Sequence, residues 1–263
     1  MTEMLAAIPW ATLLPFVVIG FVAQAIDGSI GMGFGVVTNS ALMLLGIPPA
    51  LASSTVRTVE SFASGASGLS HALRGNVDWV LFARLAVPGI AGAVVGSWLT
   101  IHLGAMLLRP VVFAYLGVLG LYLLWRAPRR PHTYRTLRTV APVGFVGALV
   151  DATGGGWGPF VSGNFLAQGG NVRTVIGTVN AAEFFVTITV LASFIGTLGV
   201  QAFTTAASGL LVGSLAAAPI GPAVVARIDP KTLLKIAGAF LVASSLYGLS
   251  ALMIARIPVL HRF

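Results

Sequence analysis

Two aspartates in apolar surroundings, Asp27 and Asp151, are each followed at once by glycine-rich sequence. They stand 124 residues apart (151 − 27), and four further identities share this offset: Gly20/Gly144, Phe21/Phe145, Gly31/Gly155 and Gly46/Gly170. Glycine lets the backbone bend, and the free N–H groups of an interrupted helix attract anions. In an apolar chain, interrupted segments at corresponding places in two halves predict the binding site of a transporter.

A second match follows the first with the offset reduced by one residue (183 − 60 = 123). Residues 55–60 and 178–183 both read Thr-Val, then three residues, then glutamate. The chain therefore contains two related halves, which we predict at 1–125 and 140–263. Between them lies a basic linker at 126–139.

Arg57 is a cation in the interior of an apolar segment, roughly 9 Å along its helix at about 1.5 Å per residue. Its planar guanidinium matches two oxygens of a tetrahedral oxyanion, so we predict that it binds substrate. The corresponding residue of the second half, Asn180, is neutral and is predicted to contribute a polar contact. The structural alternative is a salt bridge between Arg57 and Glu60, three residues further on.

Four carboxylates complete the intramembrane ionisable set. Glu60 and Glu183 occupy matching places and suit proton coupling, because a carboxyl group alternates between neutral and charged forms. Packing of the helices through neutral, hydrogen-bonded carboxyl groups is the alternative. Asp27 and Asp151 either take part in this coupling or cap the helices that follow them.

Neutral donors for an anion are available around both breaks. Backbone N–H groups at Gly31, Gly155 and Gly156 form a cradle of the kind that half-helix N-termini provide. Side-chain donors are predicted at Ser29, Asn39, Thr153 and Asn164. His71 is expected at the membrane interface rather than in a reaction, and no metal ion or cofactor is expected.

The composition defines the class of protein in which these residues act. Of 263 residues, 57% are hydrophobic and 8% charged, whereas soluble domains contain roughly 25% charged residues. Apolar runs of about 20 residues match the hydrocarbon thickness of a bilayer. We therefore predict an all-α polytopic membrane protein. The chain has no cysteine, which excludes disulfides and thiolate metal sites.

Ten apolar segments can be read along the chain, five on each side of the linker. They lie near 11–26, 34–46, 51–70, 79–100, 107–125, 140–150, 158–168, 174–196, 203–226 and 232–254. The first two of each half are short and enclose the glycines, so each pair is predicted to be a re-entrant or discontinuous hairpin. Extended back to Met4, the first segment would span the bilayer. An odd number of crossings per half would make the two repeats inverted.

The net charge of +8 is explained by topology rather than by nucleic acid. Arginines are concentrated in the linker, at positions 126, 129, 130, 135 and 138. Basic loops between spans lie on the cytoplasmic side. We expect a multi-pass protein of the cell inner (plasma) membrane with a cytoplasmic linker and both termini exoplasmic.

Several longer motifs resemble the TauE/SafE sulfite-exporter family over residues 16–254. They are Gly46-Ile47-Pro48-Pro49-Ala50, Leu73-Arg74-Gly75-Asn76-Val77-Asp78, the glycine-rich run 88–96, and Gly154-Gly155-Gly156-Trp157-Gly158-Pro159. The resemblance implies a small sulfur-containing oxyanion, sulfite or an organosulfonate, as the transported substrate. Ser29 and Met32 depart from the more glycine-rich first hairpin of that family.

We therefore predict a secondary transporter, not an enzyme, that binds such an anion near the membrane midplane between the hairpins. Protons are the expected coupling ion because of the intramembrane carboxylates. No Gly-x-x-x-x-Gly-Lys-[Ser/Thr] motif for nucleotides is present, so a gradient or a separate subunit must drive transport. The alternatives are an intramembrane lipid-phosphate hydrolase and a cation transporter that uses the buried carboxylates. The particular anion, the direction of transport, sodium coupling and the oligomeric state remain open at this point.

Overall fold

The computed structural model describes residues 10–47, 49–103, 109–129, 136–152, 155–198 and 205–256. Within these ranges the chain forms eleven α-helices and a short 3-10 turn at Ala127–Arg129, without strands. The first half contributes α1 (Trp10–Ile30), α2 (Phe34–Leu44), α3 (Pro49–Leu73), α4 (Trp79–Leu103) and α5 (Arg109–Arg126). The second half contributes α6 (Val140–Ala152), α7 (Trp157–Gln168), α8 (Val172–Leu198), α9 (Thr205–Ala217), α10 (Ile220–Arg227) and α11 (Pro230–Arg256). The all-α prediction is confirmed.

Five helices are long and apolar enough to cross a bilayer: α1, α4, α5, α8 and α11. A sixth span results if α9 and α10, which meet at 41°, are counted together. α3 has a comparable length of 25 residues but a much more polar sequence. α2, α6 and α7 have 11, 13 and 12 residues, well short of the roughly 20 that a span needs.

Two of the predicted segments differ from the helices that form. The segment at 203–226 was expected to be continuous, but it is interrupted between Ala217 and Ile220. Pro219 stands in that interruption, and proline removes a backbone donor and clashes with the preceding turn. The first segment, expected to be short at 11–26, continues to Ile30 and reaches the length of a span.

The closest helix pairs join one half of the chain to the other. α1 packs along α9, α4 along α6, α3 along α8, and α5 along α11. The α5–α11 crossing brings Gly120 and Gly238 together so closely that a Cβ on either would lie within 2.9 Å of the other's carbonyl oxygen. Small residues permit such approaches between helices in membranes. The two halves therefore pack against each other along four pairs of helices. Their division at the linker and their inverted orientation stay predictions. Linker residues 130–135 lie outside the described residues.

The stretch from the positive-φ glycine to the next helix is one residue shorter in the second break: two residues separate Gly31 from α2, and one separates Gly155 from α7. Gly31 and Gly155 both have positive φ angles, 70° and 85°, and stand 124 residues apart. Beyond them, α2 starts at Phe34 and α7 at Trp157, 123 residues apart. The positive-φ glycines that end these helices are Gly46 and Gly169, at 82° and 93°. The sequence pairing of Gly46 with Gly170 was therefore wrong by one residue, because the offset changes inside the break.

Candidate functional site

A narrow cavity lies where the two breaks meet. Its empty space totals about 230 Å³, but the space is so constricted that it holds about one water molecule. The lining consists of Asp27, Gly33, Gly35, Val36, Glu60, Gly155, Gly156, Trp157, Gly158, Pro159 and Glu183. Most of these residues pair across the halves at the offset of 123: Gly33 with Gly156, Gly35 with Gly158, Val36 with Pro159, and Glu60 with Glu183.

The two breaks are in direct contact. A Cβ added to Gly158 would lie 2.7 Å from the carbonyl oxygen of Gly31 and 2.9 Å from the Cα of Met32. One turn further along α7, the Ser162 hydroxyl donates to the same Gly31 carbonyl at 2.8 Å. The backbone of the first break is thus held against the start of α7, and only glycine at position 158 permits this distance.

Both short helices begin at the cavity. The first turn of α2 contributes Gly35 and Val36 to the lining, and the first turn of α7 contributes Trp157, Gly158 and Pro159. The first N–H groups of a helix have no acceptor within that helix, and the helix dipole is positive there. The cavity therefore combines two helix N-termini, an arrangement that favours negative charge.

Asp27 and Asp151 cap the helices on the far side of their breaks. Asp27 is 3% exposed, and its Oδ1 accepts the N–H of Phe34 at 3.3 Å. Oδ1 of Asp151, which is 1% exposed, accepts the N–H groups of Gly156 at 3.0 Å and Trp157 at 3.2 Å. The capping role that the sequence left open is therefore present at both positions. Proton coupling by these aspartates stays a prediction.

Arg57 reaches across to the end of α6. Its Nη2 donates to the backbone carbonyls of Asp151 at 2.7 Å and Ala152 at 3.2 Å. Its Nη1 lies 3.8 Å from Asp151 Oδ2, the other oxygen of the capping carboxylate. The salt bridge that forms is thus with Asp151 of the other half, where the sequence had suggested Glu60. A cation at a helix C-terminus complements both the free carbonyls and the dipole.

His71 holds the corresponding carbonyl of the first half. Its Nε2 donates to the carbonyl of Gly28 at 2.9 Å, and Gly28 corresponds to Ala152 at the offset of 124. Its Nδ1 accepts from the Asn76 amide at 3.3 Å. This network assigns the ring proton to Nε2. The side chain is fully buried within the protein, and its expected depth at the membrane interface stays a prediction.

The predicted site residues divide into two groups. The cavity lining contains Asp27, Glu60, Gly155, Gly156 and Glu183. Asp151 caps α7 beside the cavity, and Gly31 contacts Gly158 through its backbone. Arg57 binds Asp151 and Ala152 and is not itself one of the lining residues.

The predicted side-chain donors make other contacts. Ser29 donates to Ala25 within α1 and borders an apolar groove. Asn39 donates to Gly35 within α2, and Asn164 donates to Phe160 and accepts from Tyr115. Asn180 donates to Ile176 and accepts from Ser67. Thr153 lies outside the described residues.

The sequence missed the lining residues at the end of each break and in the helix turn that follows: Gly33, Gly35 and Val36 in the first half and Trp157, Gly158 and Pro159 in the second. The signal that could have found them is the offset of 123, which the two glutamates already show and which applies from Gly33 onward. Within the residues that the structure describes, no group of three or more histidine, aspartate or glutamate side chains is arranged to hold a metal ion.

A chain with several membrane-spanning helices and paired short helices around an internal cavity has the architecture of a membrane transporter. Residues 16–248 match the family described as sulfite exporter TauE/SafE, and the chain belongs to that family.

Two relatives are named as probable membrane transporters. The "probable membrane transporter protein YtnM" of Bacillus subtilis (strain 168) is 34% identical over 240 residues, which cover 88% of this chain and 80% of the relative. The "probable membrane transporter protein ORF9" of Sinorhizobium sp is 35% identical over 111 residues, 42% of each chain. No solved structure matches the chain.

Proposed function

We propose that this protein is a secondary transporter that binds a small sulfur oxyanion, sulfite or an organosulfonate, together with protons. The observation that supports this most directly is that two helix N-termini and three buried carboxyl groups line one cavity. The family match supports a sulfur anion as the class of substrate.

The helix N-termini would supply the attraction for the anion. The N–H groups in the first turns of α2 and α7 point out of the helix ends that border the cavity, and the dipoles of the two helices add there. Asp27 and Asp151 already accept the N–H groups of Phe34 and Trp157, so the substrate would use the others. Glycine at positions 33, 35, 156 and 158 leaves this backbone accessible from the cavity. Substrate oxygens would accept hydrogen bonds from these groups as they do at other helix N-termini.

The charge of the lining argues for protons as co-substrates. None of the eleven described residues of the lining is a lysine or arginine, and three are acidic. Two like charges 4 Å apart repel by about 4 kcal/mol at an effective dielectric constant of 20. An anion would therefore enter when Asp27, Glu60 or Glu183 is protonated, and a protonated carboxyl group can donate a hydrogen bond to it.

The helix pairing is consistent with alternating access by inverted repeats. In the two halves, α1 corresponds to α6 and α4 to α9. The α1–α9 pair is therefore matched by the α6–α4 pair, while α3–α8 and α5–α11 each join a helix to its own counterpart. Such pseudo-symmetric scaffolds expose a central site to each side of the membrane in turn. We propose that the linker lies inside the cell, that both termini lie outside, and that the cavity seen here is a closed state.

Uptake by purified protein in liposomes tests this function. Labelled sulfite and a labelled alkanesulfonate should accumulate when a pH gradient is imposed, and protein-free liposomes provide the leak control. Glu60→Gln with Glu183→Gln should abolish gradient-driven uptake, because the amides cannot exchange protons. Equal uptake with and without the gradient would refute proton coupling, and no uptake of either anion would refute the substrate class.

A cation transporter is the second candidate, because the three carboxyl groups in the lining would also suit a positively charged substrate. The same liposomes distinguish it. Uptake of a labelled cation that is driven by its own gradient, and is unaffected by sulfur anions, would favour this candidate over ours.

A further inference from the structure

One face of α3 carries a continuous series of polar residues. Glu60, Ser64, Ser67 and His71 follow one another at intervals of four, three and four residues, the spacing that places side chains on one helix face. All are buried, with exposed fractions of 7%, 2%, 0% and 0%. A buried polar face in a helix of this length requires polar partners along its whole course.

Partners from α8 and from the α3–α4 loop extend this series. The Ser64 hydroxyl lies 3.4 Å from that of Thr187, and Ser67 donates to the Asn180 side-chain oxygen at 2.9 Å. At the outer end, His71 contacts Asn76, which belongs to the loop that carries the exposed Arg74 and Asp78. We call the set of Ser64, Ser67, His71, Asn76, Asn180 and Thr187 the polar column. It leads from the cavity carboxyl groups to the loop.

Gln24 of α1 has a buried donor that faces this column. Its side chain is 1% exposed, and no described residue accepts a hydrogen bond from its Nε2. Gln24 and the column approach each other beside Gly28: a Cβ built there would lie 3.7 Å from Gln24 Nε2, 3.4 Å from Ser67 Oγ and 3.1 Å from the Cα of Gly221. An unpaired buried amide is costly, and a bound water is the usual partner for such a group.

We propose that the polar column and Gln24 form the proton route between the Asn76 loop and Glu60 and Glu183. The route rests on the proton coupling proposed above. The hydroxyl groups of the column, the His71 imidazole and bound waters would each accept one proton and release another, while the amide side chains would only hold them in position. The net result is one proton taken from water at the loop and added to a carboxylate. The charged groups at its cavity end are Glu60, Glu183 and Asp27. Those at its loop end are Arg74 and Asp78.

The structural alternative is that these polar residues only pack the helices. Two measurements, anion exchange and accumulation driven by a pH gradient, distinguish this alternative from proton transfer along the column. Exchange of labelled for unlabelled anion at equal pH needs no net proton movement, whereas accumulation under a pH gradient does. Gln24→Leu and Ser67→Ala should leave exchange within about twofold of the unmodified protein. They should lower the initial rate of gradient-driven accumulation about tenfold, corresponding to a barrier increase of about 1.4 kcal/mol.

Two further variants make the result specific. Ser61→Ala is the matched control: Ser61 is on α3 and 2% exposed, but its hydroxyl donates within its own helix, to Arg57. It should change neither mode. Ser67→Thr keeps a hydroxyl group and should restore gradient-driven accumulation.

Normal accumulation in both Gln24→Leu and Ser67→Ala would overturn the route while leaving proton coupling intact. A parallel loss of exchange and accumulation would also overturn it, since that is the effect of damaged packing. Exchange without any pH-driven accumulation in the unmodified protein would refute the proposed coupling and the route together.

Discussion

The two breaks have related sequences but are held by different chemistry. In the second, Asp151 accepts two N–H groups and also faces Arg57, which binds the carbonyls at the end of α6. In the first, Asp27 accepts one N–H at 3.3 Å, and the equivalent carbonyl is bound by the imidazole of His71. One break is fixed by a permanent cation, and its counterpart is fixed by a neutral ring.

This difference suggests a division of labour between the two halves. Charge-assisted hydrogen bonds are roughly twice as strong as neutral ones, so the break at Asp151 should be the more rigid. The break at Asp27 has the weaker contacts, one N–H accepted at 3.3 Å and one carbonyl bound by a neutral ring. We expect the first break to move more readily during transport, and the following predictions test that contrast.

Arg57→Ala should have the largest effect on stability. Removing one partner from a fully buried ion pair costs about 3–5 kcal/mol. The Arg57 side chain is 16% exposed, which lowers the contribution of the pair, but the carbonyls of α6 would also lose their donor. Thermal unfolding of the purified protein in detergent measures the loss. The double variant Arg57→Ala with Asp151→Asn should recover part of it, because no charge remains buried alone. No recovery in the double variant would show that the pair is not what Arg57 stabilises.

Gly158→Ala should be the next most harmful change. Its Cβ would lie 2.7 Å from the Gly31 carbonyl, and overpacking of this kind costs about 1–3 kcal/mol. Gly35→Ala is the matched control, because its Cβ would meet Glu60 Oε1 at an ordinary 3.5 Å. Thermal stability should fall for the first variant and change little for the second. Equal losses would mean that the breaks do not depend on this contact.

The aspartates should respond unequally to amide substitution. Asp27→Asn keeps an oxygen that can accept from Phe34, so its effect on unfolding should stay below about 0.5 kcal/mol. Asp151→Asn keeps the cap but removes the charge opposite Arg57, and hydrogen bonds to charged groups contribute about 1.5–3 kcal/mol. Chemical denaturation of both variants, side by side, would reveal the difference. The opposite order would contradict the contrast between the breaks.

His71→Gln should lower the free energy of unfolding by about 1 kcal/mol, the contribution of a single neutral hydrogen bond. Hydrogen exchange should then increase at the end of α1, near Gly28, and not at the end of α6. A comparable increase at both ends would indicate that His71 supports the whole protein rather than the first break.

Much of the architecture could be predicted because apolar length and glycine patterns are local features. The segment positions, the paired breaks and the carboxylates at Asp27, Glu60, Asp151 and Glu183 all follow from them. The partner of Arg57 could not be predicted, since Asp151 lies 94 residues away and only tertiary packing brings it close. For the same reason, the local pattern around His71 could not reveal its complete burial.

The register of the second half was missed for a geometric reason. Identities in sequence do not show which glycine adopts a positive φ, so Gly46 was paired with Gly170 instead of Gly169. The offset of 123 was visible at Glu60 and Glu183, but the point at which it replaces 124 became recognisable only from the helix starts at Phe34 and Trp157. Because of this one-residue change of offset, α2 and Glu60 in the first half correspond to α7 and Glu183 in the second.

Proton movement during anion transport tests the central claim most directly. A pH-sensitive dye sealed inside liposomes reports protons that enter when an alkanesulfonate, which carries no proton of its own, is added outside. We predict that the interior acidifies with the unmodified protein and not with the variant that combines Glu60→Gln and Glu183→Gln. Alkanesulfonate uptake without acidification in the unmodified protein would contradict the account.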